Sequence, residues 1–253
     1  QNQGVEALMY LSERLDTLPT TFVRTLAWAF SNMCRHKNPH APLTVLRVLS
    51  QGLARLIQFS DQTVQQDACW AVSYLTDGPD EQIELAREAG MLQTVVNFLG
   101  RTDAVIAPAL RVLGNMATGN DQLTQCVIDV GTLKLLPGVV KKTKSSSIVK
   151  ECCWLISNII AGTQDQIQTV IEEGLLRLLV TILLTGDYRC QYECSWALAN
   201  LAQGGTSLQC LQLFKEDSVP ALCAAMRHTN ADLINNILDT IYAMLSAVVT
   251  HHP

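Results

Sequence analysis

A chain of 253 residues with 48% apolar and 16% charged residues is long enough for one large domain or a repeat array, and too apolar to remain disordered. Its net charge of −5 argues against a nucleic-acid partner and for a basic one. The longest apolar stretch, LLRLLVTILL from Leu175, is broken by Arg177 and too short to span a bilayer, and neither end carries a secretion signal, so no membrane partner is expected.

In chain order, five segments carry one pattern: AWAFSN (27–32), CWAVSY (69–74), LRVLGN (110–115), CWLISN (153–158) and SWALAN (195–200). Their last residues, Asn32, Tyr74, Asn115, Asn158 and Asn200, are separated by 42, 41, 43 and 42 positions. So steady a period is the mark of a repeat architecture. A Gly-bearing polar break follows four of them: TDGPDEQI, ATGNDQLT, AGTQDQIQ and QGGTSLQC. Those glycines suit a left-handed helix-closing position, and the Asp, Thr or Ser behind them suits a cap on the next helix. About a dozen residues later Gly90, Gly131 and Gly174 recur, with Ser218 in the last copy, and split a short helix from a second one.

Each unit therefore reads as a short helix, a second helix and a long third helix, with no strand periodicity. The predicted fold is all-α: a right-handed armadillo-repeat solenoid of three helices per repeat of about 42 residues. One array covers 1–253, with units at 1–38 (partial), 43–79, 81–120, 122–163, 165–205 and 207–250.

The third helices are expected to line a concave groove. Residues four apart share one helical face, so Trp at one position and Asn four later form two parallel ladders. Packing accounts for a Trp; it does not account for an Asn, whose amide is costly to bury unpaired. An Asn ladder offers donors and acceptors to an extended peptide backbone. Indole slots accept a long aliphatic stem whose cationic head gains roughly 0.5–2 kcal/mol from the rings. Asp67, Glu151 and Glu193 stand three residues before Trp70, Trp154 and Trp196, where they meet such cations. Arg111 takes the Trp position of the third copy and Tyr74 the Asn position of the second, which divides the groove into two sites. With repeats about 8–10 Å apart and about 3.3 Å of peptide per residue, each repeat accommodates roughly three peptide residues.

The nine cysteines read as free core thiols of a reducing compartment; Cys190-x3-Cys194 lacks the two-knuckle spacing of a zinc site. The five histidines form no HExxH, and no GxSxG or phosphate-cradling loop is present. No enzyme, metal or cofactor is expected.

WAFSNMCRHKNP closely resembles the W-x-x-S-N-L-C-R-x-K-N-P of the importin-α (karyopherin-α) family of nuclear import adaptors. CWAVSYLTDGPDEQIE, ALRVLGNMATGNDQLTQ, KECCWLISNIIAGTQDQIQ and YECSWALANLAQGGT resemble its following repeats, the oddities Tyr74 and Arg111 included. The resemblance implies a fragment beginning in about the fourth repeat. It would bind Lys/Arg-rich nuclear localisation signals of cargo proteins, extended along an acidic groove, and shuttle between cytoplasm and nucleus. It implies a remnant of the major site at Trp28, Asn32, Arg35, Asp67 and Trp70. It further implies a minor site of Arg111, Asn115, Thr118, Asp121, Thr124, Glu151, Trp154, Asn158, Glu193, Trp196 and Asn200. Importin-β would contact an N-terminal segment absent here, and the cut ends, with apolar faces made for neighbouring repeats, favour self-association. Residues 1–22 and 44–58 depart from the family, and Ala243 stands where the ladder expects Asn. The competing reading is a signalling or adhesion scaffold of the β-catenin kind, whose groove for acidic ligands would be lined by Lys and Arg.

Overall fold

The computed structural model describes residues 3–35 and 41–251, so His36, Lys37, Asn38, Pro39, His40 and His252, used in the motif and histidine readings, lie outside the described residues. Among the described residues there are sixteen α-helices, one 3-10 turn and no strand. They fall into two compact units, 1–130 and 131–253.

The first unit holds α1 (Gln3–Ser12), α2 (Thr20–Arg35), α3 (Leu43–Leu56), α4 (Gln62–Leu75), α5 (Asp80–Glu88), α6 (Leu92–Phe98), α7 (Asp103–Met116) and α8 (Asp121–Asp129). The pattern-bearing helices α2, α4 and α7 lie side by side, with α3, α5 and α6 packed behind them. Val23, Leu26, Ala27 and Phe30 show why α2 is helical: they return every three or four residues and are all buried. The unit read at 43–79 contains two helices, not three, because 43–56 runs as one continuous helix. No glycine interrupts it at a left-handed angle; Gly52 is helical and fits where a Cβ would meet the Phe30 ring.

The second unit holds α9 (Thr132–Lys142), α10 (Ser146–Ile160), α11 (Gln164–Glu172), α12 (Leu175–Thr185), α13 (Tyr188–Gly204), α14 (Ser207–Lys215), α15 (Ser218–Ala225) and α16 (Ala231–His251). Here α10, α13 and α16 lie side by side, and the shorter helices cover their outer faces. By length and composition α16 could cross a membrane, but it packs on α13 and α14 as the third helix of its copy. Leu233, Ile237, Met244 and Ala247 are its buried stripe.

The glycines divide into two classes, differently from the sequence reading. Gly90, Gly131 and Gly174 have φ of 70°, 84° and 71° and do turn the chain between short and second helix. In the last copy the left-handed residue is Asp217 (φ 52°), one position before the expected Ser218. By contrast Gly78, Gly119, Gly162 and Gly205 after the pattern helices are not left-handed. Their surroundings are tight instead: a Cβ on Gly78, Gly119 or Gly162 would meet the side chain of Gln82, Leu123 or Gln166 in the next helix, and one on Gly205 would meet the Leu201 carbonyl of the helix before it. Gln166 folds back to accept from the Thr163 N–H (3.0 Å) while the Thr163 hydroxyl accepts from Gln166 N–H (3.3 Å); Thr206 and Gln209 repeat this capping box. At Gly131 a Cβ meets nothing within 4 Å. Gly131→Ala is therefore expected to cost only the left-handed penalty, about 1 kcal/mol, read as a lower urea midpoint with an unchanged m-value.

Asp61 ties α2 to α4. It caps α4 by accepting from the N–H groups of Thr63 and Val64 and accepts two bonds from the Arg24 guanidinium, 2.7 and 3.0 Å. Chiefly Arg24, helped by the capping N–H groups, holds the Asp61 carboxyl down to about 2. A depressed carboxylate contributes stability above its unfolded range, about pH 4, and loses it as the pH falls towards 2. Arg24→Gln should return the Asp61 titration towards the ordinary range, which carboxyl NMR reads directly.

Candidate functional site

The four indoles lie on the pattern helices and none is buried in the core. Trp28 on α2 is 61% exposed and Trp196 on α13 is 38% exposed; Trp70 on α4 and Trp154 on α10 are half-buried. The helical period explains the arrangement. Ala27 and Phe30 point inward from α2, as Ala197 and Leu198 do from α13, which leaves position 28 or 196 outward. In the first unit the Trp70 and Tyr74 rings stack, 6.2 Å between centroids and 25° between planes, so Tyr74 extends the indole surface where other copies carry Asn. In the second, Tyr192 meets Trp196 edge-on (6.4 Å, 77°), and Tyr188 continues the stripe to His228. The sequence reading missed Tyr188 and Tyr192; their spacing of four and eight before Trp196 was the available signal.

The carboxamides do something the sequence reading did not anticipate. Asn115 Nδ2 donates to the Ser73 carbonyl (2.9 Å) and the Thr76 hydroxyl (3.3 Å), one repeat back on α4. Asn200 Nδ2 donates in the same way to the Ser157 carbonyl (3.0 Å) and hydroxyl (3.2 Å) on α10. Asn32 Nδ2 donates to the carbonyl of Trp28 on its own helix, 2.9 Å. Asn115 and Asn200 each donate twice inside the fold and bridge neighbouring copies, whereas Asn32 commits one bond to its own helix. Ser73 prepares the bridge by donating its own hydroxyl to the Trp70 carbonyl, 2.8 Å.

The charged positions differ from one another. Asp67 is half-buried, and burial raises its carboxyl above the ordinary value. Glu151 is 9% exposed and pairs with Lys150 at 3.0 Å, so it is more enclosed than the expected open groove acid. Glu193 on α13 and Arg111 on α7 are half-buried, as is Asn158 on α10, and Arg35 is exposed at the end of α2. Thr118 is exposed, donating its hydroxyl to the Asn115 carbonyl (2.7 Å), and Asp121 is exposed in the first turn of α8. Thr124 is 2% exposed and its hydroxyl is held by the Ala117 carbonyl (3.3 Å); it belongs to the interior, not to a contact surface.

The expected residues are thus divided. Trp28, Asn32, Arg35, Asp67, Trp70, Arg111, Asn115, Thr118, Asp121 and Thr124 lie in the first unit, on three neighbouring pattern helices, on α8 and, for Thr118, in the turn between α7 and α8. Glu151, Trp154, Asn158, Glu193, Trp196 and Asn200 lie in the second, on the adjacent helices α10 and α13.

Seven of the nine cysteines are buried; Cys126 is half-buried and Cys223 exposed. Burial pushes the Cys34 and Cys190 thiols up to about 12, and Cys69 higher still, which suppresses the reactive thiolate. Among the described residues no three His, Cys, Asp or Glu groups converge as metal ligands would.

The armadillo/β-catenin-like repeat family matches residues 45–77, 120–161 and 163–203. The chain is 61% identical to importin subunit alpha-2 of Caenorhabditis elegans, over 99% of this chain and 47% of that protein. It is 42% identical to importin subunit alpha-1a of Oryza sativa subsp. japonica, over 66% of this chain and 32% of that one. It therefore spans about half, or less, of the length of these relatives. Among solved structures, a designed armadillo repeat protein in complex with the peptide (KR)4 is similar with a TM-score of 0.82 and 27% identity, over 93% of this chain and 98% of that one.

Proposed function

Because the chain belongs to the importin-α family of armadillo-repeat proteins, we propose that it is the cargo-holding part of a nuclear import adaptor. It holds Lys/Arg-rich nuclear localisation signals in extended form, one cluster against Trp28 and Trp70 and another against Trp154 and Trp196. The observation that carries this is the recurrence of outward indoles, each of the last three with a carboxylate one turn before it. The designed relative that carries a (KR)4 peptide supports the same ligand chemistry. Aliphatic stems lie between the rings and cationic heads reach the acids. With their donors engaged in the fold, Asn115 and Asn200 contribute their side-chain oxygens to peptide N–H groups. Arg111 disfavours a peptide cation at its own place on α7. Recruitment of importin-β and passage between cytoplasm and nucleus are parts of this proposal.

Fluorescence anisotropy with two labelled peptides tests it. A two-cluster Lys/Arg peptide should bind, more weakly as salt rises, while an Asp/Glu peptide of equal length should not. Preference for the acidic peptide would replace this reading with a β-catenin-like scaffold. The family comprises transport and scaffold proteins and not enzymes.

Large apolar side chains remain outward at the end of the second unit: Phe214, Val219, Leu238, Leu245 and Val249 are each at least 40% exposed. They favour pairing of two copies of this chain. Light scattering should report a mass that rises with concentration; a monomer throughout would refute it.

A further inference from the structure

The second unit contains a cavity that the two-cluster reading leaves unused. It lies between the C-terminal end of α13, the start of α14 and the outward stripe of α16, with a volume of about 400 Å³. Gln203, Ser207, Asp239, Tyr242, Ser246 and Thr250 supply its polar walls. No Lys, Arg or His lines it, and Asp239 is its one carboxylate. Tyr242 is 75% exposed, more than any other large apolar or aromatic side chain described.

The position gives this cavity its meaning. Asp239 and Ala243 follow Trp196 and Asn200 by 43 residues each, so they hold the Trp and Asn positions of the last copy. The ladder does not stop at α13; on α16 an acid replaces the indole. Tyr242, three residues after Asp239, restores a ring beside that carboxylate. Loss of the Asn side chain at Ala243 leaves room between α13 and α16.

We propose that this cavity is a third subsite for the bound peptide, selective for an arginine side chain. The inference rests on the peptide-holding function proposed above. A carboxylate accepts two parallel bonds from a planar guanidinium, and the tyrosine ring flanks that plane. The guanidinium has five N–H donors. Asp239 meets two of them, and the oxygens of Gln203, Ser207, Ser246 and Thr250 serve the rest. Lysine, with three donors and no plane, uses fewer of these groups. At about 8–10 Å per repeat and about 3.3 Å per peptide residue, the arginine sits roughly three residues beyond the one held at Trp196.

Calorimetry with the 253-residue chain tests this, using a two-cluster Lys/Arg peptide and versions extended at either end by Gly-Ser-Arg or Gly-Ser-Lys. One of the two arginine extensions should tighten binding about fivefold or more, and lysine at the same place should gain less. Asp239→Asn and Tyr242→Ala should each abolish the gain and leave the parent peptide's affinity unchanged. Both side chains are exposed, so the fold should survive, as circular dichroism will report. If neither extension tightens binding, or the gain persists in Asp239→Asn, the subsite does not exist, while normal affinity for the parent peptide still upholds the groove. Failure of the parent peptide to bind would instead overturn the underlying function.

Discussion

Trp154→Ala and Trp196→Ala each weaken a two-cluster Lys/Arg peptide about tenfold, and together about a hundredfold, in the expected result of a binding titration. Each substitution removes one wall of the slot proposed for an aliphatic stem and a cation, a contact of about 1–2 kcal/mol, and 1.4 kcal/mol is a factor of ten. Trp196 is 38% exposed and Trp154 half-buried, so their truncation removes surface at the ligand side and little of the core. The urea midpoint should therefore move much less than the affinity. Unchanged affinity in the double variant would show that the peptide lies elsewhere.

Asn115→Ala and Asn200→Ala behave in the opposite way: each lowers stability by about 1–3 kcal/mol. Each amide donates twice to the preceding pattern helix, and its removal leaves the Ser73 or Ser157 carbonyl without that bond. The cost of an unmet buried polar group sets the magnitude. Asn115 is only 7% exposed, so its effect should be the larger. Urea unfolding of the two variants beside Asn32→Ala makes the comparison, because Asn32 bonds within its own helix and should matter least. Equal, small losses at all three positions would refute the bridging role.

These two results bear on what can be read from the sequence. The outward indoles were legible, because each stands beside residues whose 3.6-residue period places them in the core; burial of Ala27, Phe30, Ala197 and Leu198 leaves Trp28 and Trp196 one direction to face. The destination of the amides was not legible. A carboxamide's partner sits on another helix about 42 residues away, and no local pattern records which of its groups faces which way. The serine that recurs one place before the ladder position, Ser73 and Ser157, was the available hint. The glycines fail for a similar reason. Gly131 needs its backbone angle, a local property, but Gly78 and Gly162 are small because a glutamine four residues on folds back over them. Thr124 came from the family resemblance alone, and no local pattern records that its hydroxyl turns back to the Ala117 carbonyl.

On the side away from the pattern helices, Arg47 on α3 pairs with Glu88 on α5, Lys134 with Glu173 (3.9 Å) and Arg177 with Glu216 (3.0 Å), each joining one copy to the next. The basic partners are 54%, 72% and 77% exposed, so each pair contributes at most about 1 kcal/mol and is screened by electrolyte. Cohesion between copies consequently rests on the buried apolar core and on the Asn115 and Asn200 bridges, which screening by chloride does not loosen. Raising sodium chloride should therefore release the proposed cationic peptide before the scaffold unfolds, so that a single elution gradient would free ligand from immobilised protein without denaturing it.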